Sequence, residues 1–394
     1  MRLKMTPDDF VVNEVVSIDT KAAPGKAKYR IYLMEKSGWN TLDAISSIAS
    51  ASRVDPSLIG YAGLKDRHAR TTQHISVPAQ YELTSRRDDI RLTFLGFSDD
   101  FVSTKVLVGN RFMVRVGGLG SEEAGGILSR AQEIRRHGYP NYFDDQRFGS
   151  VTGSGEFVAE RIVRGHLKGA LKIHLSEVFP NQKKAERERR AKVSAAWGKW
   201  DEVFELCESR EDRAVAAPLL GGATKKHLLL ALSAIPHEAM ARYIAAYQAF
   251  VWNEVLRRIV KGSGVPFREV PGKAGPYLFP TKPISDPGLD IPAVAAVLAP
   301  CRPEIACRID EVLSERGLTL ADFNVRGLRS RYFKSFSRRA WVIPDGLVVG
   351  EPKPDRDNPS QVELRISFAL PAGSYATMLL KALAVSTSPL GCAL

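Results

Sequence analysis

At 394 residues the chain is long enough for two domains, or for one domain that carries an insertion. With 44% hydrophobic and 25% charged residues it matches soluble globular proteins, which excludes disordered and fibrous classes. A formal net charge of +12 points to a polyanionic partner, nucleic acid foremost, because Lys and Arg displace counterions along a phosphate backbone.

The first ten residues, Met-Arg-Leu-Lys-Met-Thr-Pro-Asp-Asp-Phe, are charged and lack the apolar stretch of a secretory signal. The longest apolar runs, around Leu228 to Ile235 and Ile291 to Pro300, are too short for a bilayer span, so a cytoplasmic protein with no membrane partner is expected. Phe10 to Ile18 and Tyr29 to Met34 alternate or are β-branched, as half-buried strands are. Asn40 and Thr41 then open a helix through Ala51, a short polar side chain being suited to accept from the free amides of a first turn. Strand patterns resume at Ile75 to Val77, Ile90 to Phe94 and Phe112 to Val116. A helix over Ser121 to His137 follows and is stopped by Gly138 and Pro140. This half reads as α+β.

From about Gly165 the chain turns to alanine-rich, charged segments such as Lys183 to Cys207 and His237 to Val260, which favour helix. Proline and glycine cluster between Gly262 and Pro303, a helix is expected near Glu304 to Arg316, and strand patterns return at Trp341 to Ile343 and Gln361 to Phe368. The order implies a discontinuous domain whose halves flank a helical insertion. Cys207, Cys301, Cys307 and Cys392 form no Cys-x-x-Cys pair, and His68 and His74 stand six apart with no cysteine nearby, so neither a disulfide framework nor a metal site is expected.

Three stretches bear on chemistry. Gly60 to Gln73 carries Asp66 between Lys65 and Arg67. Neighbouring cations favour an ionised carboxylate, which suits a nucleophile or base, although a charged run of this kind is also how a solvated turn reads. Between Arg326 and Arg339 stand Arg326, Arg329, Arg331, Lys334, Arg338 and Arg339, interleaved with Tyr332, Phe333 and Phe336. Cations that pair with phosphates beside rings that stack on bases would bind RNA, while the alternative is core aromatics under a cationic surface. Gly117 to Gly120 and Gly153 to Gly155 lack the lysine or third glycine of a phosphate-binding fingerprint and read as turns.

Several separated motifs converge on one family. They are Leu3-Lys4 before Pro7-Asp8-Asp9-Phe10, then Gly38-Trp39-Asn40-Thr41, Gly63-Leu-Lys-Asp-Arg-His-Ala69 with Gln73, and Gly109-Asn110-x-Phe112. Further on stand Pro140-Asn-Tyr-Phe143, Gln146-Arg147-Phe148-Gly149, Tyr243-x-x-Ala246-x-Gln248, and Phe368-x-Leu370-Pro-Ala-Gly-Ser-Tyr-Ala-Thr377. In this order they resemble the TruD family of tRNA pseudouridine synthases along nearly the whole chain.

That resemblance implies a pseudouridine synthase core, an α+β fold with a mixed, mostly antiparallel sheet. The core would be formed by residues 1–164 and 331–394 and interrupted by a family-specific domain at 165–330. It implies a cofactor-independent enzyme that isomerises uridine, at position 13 of tRNA, by flipping the base and breaking the glycosidic bond. The family's catalytic aspartate falls on Asp66 and its basic companion on Lys4, which requires an N-terminus pinned against the sheet. Family substrate contacts fall on Phe10, Asn141 and Phe368, with Phe143 packing nearby. Two rings can sandwich a base and an amide can pair with its polar edge, whereas by spacing alone both Phe10 and Phe368 read as ordinary strand packing.

Overall fold

The computed structural model describes residues 2, 6–23, 25–179, 182–284, 286, 288–325, 327–328 and 333–385. The chain forms two units, Met1–Tyr139 with Val342–Leu394, and Pro140–Trp341. Residues 140–164 therefore fold with the second unit.

In the first unit the chain runs through β1 (Phe10–Val16), β2 (Tyr29–Ser37), α1 (Thr41–Ser52), β3 (Gly60–Tyr61), β4 (Arg70–Pro78), β5 (Ile90–Ser98), β6 (Leu107–Leu119) and α2 (Ser121–His137). It returns with strands Asp345–Val349, Lys353–Asp355 and Asn358–Pro371 and the helix Ala376–Ala384. One nine-stranded sheet results, in the order Asp345–Val349, Asn358–Pro371, β6, β1, β4, β2, β5, with Lys353–Asp355 beside Asn358–Pro371 and β3 beside β4. Only β1 and β4 run parallel; every other pairing in it is antiparallel. The mixed, mostly antiparallel α+β core expected from the sequence is present.

Local chemistry explains the element ends. The Asn40 side chain caps α1 by accepting from the Asp43 amide at 2.8 Å. Gly138, at φ +73°, ends α2. Tyr32, Met34, Ile75, Val77 and Ile90 of the sheet meet Ala44, Ile45, Ile48 and Ala49 of α1 in a closed core, so α1 covers the β4–β2–β5 end of one face.

The reading of Gly117 and Gly118 as a turn is corrected. Both lie in β6, where a Cβ on Gly117 would stand 2.7 Å from the Asp355 carboxylate. The Gly118 amide donates to that carboxylate at 2.5 Å, and φ there is +70°. Glycine is needed at 117 because an acid closes on the backbone, and at 118 because φ is positive and a Cβ would stand 2.8 Å from Arg2 Nε.

The second unit is mainly helical. Its longest helix, His237–Gly262, has 26 residues and buries Tyr247, Trp252 and Val255. Phe157, Phe250 and Phe323 pack against Tyr247. The helical stretch expected over 183–207 is two helices, Lys184–Ala195 and Trp200–Leu206, parted near Gly198 at φ +106°. Two small ribbons complete it, Phe267–Val270 with Tyr277–Pro280 and Asp290–Pro292 with Ser337–Arg339. Among the described residues no helix is long and apolar enough to cross a membrane.

Candidate active site

Asp66 sits in the loop between β3 and β4, and a set of polar contacts fixes that loop to the sheet. Thr41, first residue of α1, accepts from the Lys65 amide at 2.8 Å and donates to Gln73 Oε1 at 3.0 Å. Gln73 Nε2 in turn donates to the Gly63 carbonyl at 3.2 Å. The Lys65 ammonium is buried, 2.7 Å from Asn110 Oδ1 and 2.8 Å from Glu14 Oε1. Burial alone would raise the Glu14 carboxyl, yet hydrogen bonds from His74 and the Lys65 charge hold it below the usual carboxylate range.

Asp66 is half-buried, and its Oδ1 accepts from the His68 amide at 3.0 Å. Its main-chain carbonyl accepts from Lys36 Nζ at 3.2 Å, and the same ammonium donates to the Trp39 carbonyl at 2.5 Å. Lys36 is 2% exposed. Burial pushes its pKa down to about 8, an effect that Asp66 opposes and Lys65 reinforces.

The local reading of Asp66 is thereby revised. Lys65 turns its charge onto Glu14, and Arg67 sends Nε to the Gly38 carbonyl at 3.1 Å. Among the described residues, Lys36 is a cation that the fold brings to Asp66, through the main-chain carbonyl.

Lys4 lies outside the described residues. The pinned N-terminus that it requires is visible at Arg2, which bridges to Gly117 through backbone hydrogen bonds of 2.7 and 3.1 Å and pairs with Asp355 at 2.9 Å. Behind it the buried Arg115 gathers Asp9, Asp357 and Glu363 at 2.8, 2.7 and 2.6 Å. This charge cluster holds the start of β1, and with it Phe10, against β6.

Phe10 and Phe368 are 4% and 3% exposed. Phe112 lies between them, edge-on to Phe10 at 6.1 Å and stacked on Phe368 at 5.1 Å. Their register places them on the same face as the loop anchors: Phe112 is opposite Val12 and Phe368, and Asn110 is opposite Glu14. Phe112 and Phe368 are thus two residues, about 7 Å, along the strands from the level of Asn110 and Glu14, and Phe10 is four residues from Glu14.

Asn141 and Phe143 belong to the second unit. The Asn141 amide donates to the Arg339 carbonyl at 2.9 Å and accepts from Arg338 at 2.8 Å. The Arg338 guanidinium also lies 4.1 Å from the centroid of the Phe143 ring, and Asn253 clamps the Phe143 backbone with two 2.9 Å hydrogen bonds. Within the cationic stretch, Arg338 is thus engaged with Asn141 and Phe143, and Arg339 pairs with Asp290 at 3.0 Å. Arg326, Arg329, Arg331 and Tyr332 lie outside the described residues.

The family model for tRNA pseudouridine synthase D (TruD) matches residues 1–272. The chain belongs to the TruD family. It is 31% identical to the tRNA pseudouridine synthase D of Leptospira interrogans over 392 residues, covering 97% of this chain and 95% of that one. The Aquifex aeolicus tRNA pseudouridine synthase D is 30% identical, with 97% and 98% covered. In fold, the chain resembles the crystal structure of a TruD protein from Methanosarcina mazei, with a TM-score of 0.71, 24% identity, and 98% and 93% of the two chains covered.

Within the TruD motifs, the sequence left Thr41, Gln73 and Asn110 without roles; all three hold the Asp66 loop or its Lys65 neighbour. Glu14, Lys36 and Asn253 were not singled out, and Arg338 stood out only as one cation of an RNA-binding stretch. One signal for Lys36 was available: it continues the buried alternation of Tyr32 and Met34, where a lysine needs a specific partner.

Proposed function

We propose that this chain isomerises uridine to pseudouridine in tRNA, at position 13, with Asp66 as the reacting carboxylate. The target base is flipped out of the RNA. Asp66 starts cleavage of the N-glycosidic bond, by attack on the nucleotide or by removal of a ribose proton, and the uracil then rotates and rejoins through carbon. Both routes use the ionised carboxylate. Lys4 is its basic companion, Phe10 and Phe368 offer faces to the base, Asn141 its amide, and Phe143 packs nearby. The reading calls for no cofactor and no metal.

The observation that carries it is Asp66 itself, which occupies the family's motif and stands half-buried on a loop tied down on both sides. A loop so held keeps a reacting group in place, which is where much of a rate enhancement originates. The net charge of +12 supports a polyanionic substrate. The test replaces Asp66 with Asn and measures folding, tRNA binding and pseudouridine formation on a tRNA transcript. Folding and binding are expected to persist while product formation disappears; an active Asp66→Asn enzyme would sink the assignment.

A further inference from the structure

We infer that Lys36 is a positioning residue for Asp66, its ammonium joining the turn at residues 38–41 to the main chain of the catalytic loop and holding the Asp66 carboxylate charged and aimed. This rests on the reading of Asp66 as the reacting group.

The argument begins with alternation. Lys36 shares the covered face of β2 with Tyr32 and Met34 and is 2% exposed. An ammonium there has lost its water and needs both acceptors and a countercharge. Its acceptors are the carbonyls of Trp39 at 2.5 Å and Asp66 at 3.2 Å, neither of which carries a formal charge. The charged groups acting on it are Asp66, which favours the ammonium, and Lys65, which opposes it. The Asp66 carboxylate is therefore the countercharge. The attraction is mutual, so the lysine favours the ionised carboxylate equally.

Two further contacts run between the same segments. Arg67 Nε donates to the Gly38 carbonyl at 3.1 Å, and the Lys65 amide donates to Thr41 Oγ1 at 2.8 Å. Gly38 sits at φ +76°, so the turn is sharp and brings its carbonyls to the loop. The turn is thus the mount of the catalytic loop, and Lys36 is the only one of these three contacts that also carries charge to Asp66 from a buried position.

The test is Lys36→Met in the full chain, which keeps the volume and removes the charge. Melting temperature, tRNA affinity, and the single-turnover rate of pseudouridine formation across pH are measured. Affinity should stay within about threefold while the rate falls about 100-fold, the size expected when a reacting group is misplaced by an ångström. The acid limb of the rate profile should move to higher pH, because the carboxylate has lost a neighbouring cation; a role confined to packing would not move it. Lys36→Arg, which restores a charge, should recover at least about tenfold of the rate. A rate within about threefold of wild type, or an unmoved acid limb, overturns the inference.

If Lys36→Met does not fold, Asp66→Asn decides. With Lys36 in place it should lower the melting temperature by several degrees, since the buried ammonium loses its countercharge, and an unchanged value overturns the coupling. Should the wild-type protein make no pseudouridine in tRNA, the functional reading fails instead, and the melting comparison still decides whether Lys36 and Asp66 are coupled.

Discussion

The Lys65 ammonium lies 2.8 Å from the Glu14 carboxylate, so the residue next to Asp66 in the chain is an anchor sunk into the sheet. Both side chains are buried, and removing one partner leaves the other charged and unpaired. Lys65→Met should therefore destabilise the first unit by about 3–5 kcal/mol, more than the pair itself is worth. The double variant Lys65→Met with Glu14→Gln should recover part of that loss. Chemical denaturation of the four proteins of the cycle measures it, and purely additive losses would show that the two charges do not interact.

Gly109 offers a test of the strand carrying the aromatic row. A Cβ there would fall 2.2 Å from the Leu370 carbonyl, which is backbone and cannot swing aside. Gly109→Ala should push β6 away from Asn358–Pro371 at the register next to Asn110 and Leu370. A loss of about 1–3 kcal/mol is expected for this overpacking. Hydrogen exchange should show the β6 amides near Asn110 opening sooner, and unchanged protection would refute the close approach.

Acid should weaken the second unit through His174. Its ring is buried and accepts from or donates to the Tyr243 hydroxyl at 2.9 Å. Burial first, then the charges of Arg190 and Arg242, hold its pKa down at about 4 against an ordinary 6.5, with Asp212 opposing. As pH falls from 6.5 to 4 the unfolded chain takes a proton that the folded one refuses, so stability present above 6.5 is lost across that window. The carboxyls of Asp9, Glu14 and Asp355, all held below their ordinary values, keep their contributions until lower pH, that of Asp355 being lost toward about 2. His174→Gln should flatten the fall in melting temperature between pH 6.5 and 4.5; an unchanged slope would assign it to other groups.

The fold was legible where one local signal dominated. The bounds of α2 follow from its pattern and from Gly138, and α1 from Asn40, because capping and periodicity are decided within a few residues. The family motifs pointed to Asp66 as the proposed reacting carboxylate. The mounting of its loop was not legible, because Lys36, Glu14, Asn110 and Gln73 meet only when β2, β1, β6 and β4 take their register. Adjacency suggested Lys65 and Arg67 as the cations of Asp66; tertiary packing gave them other partners and set Lys36 there. Likewise Gly117 and Gly118 resembled a turn until two distant residues explained the missing side chains, Asp355 at Gly117 and Arg2 at Gly118.

Arg338 organises Asn141 and Phe143, the two residues of the second unit in the proposed site, and that gives the last prediction. Its guanidinium donates to the Asn141 carbonyl and to Oδ1, each at 2.8 Å, while its central carbon lies over the Phe143 ring, 4.1 Å from the centroid. Lysine cannot reproduce a planar fork that bonds two oxygens and stacks on a ring. Arg338→Lys should therefore keep the net charge and nearly all tRNA affinity, yet lower kcat/KM by at least about tenfold because the Asn141 amide is no longer held. A surface cation that served only RNA phosphates would behave oppositely. Its replacement by lysine would leave kcat/KM close to wild type, whereas Arg338→Gln would weaken tRNA binding and reduce the salt slope by about 0.7–0.9. Single-turnover kinetics and salt-dependent binding on both variants separate the two roles.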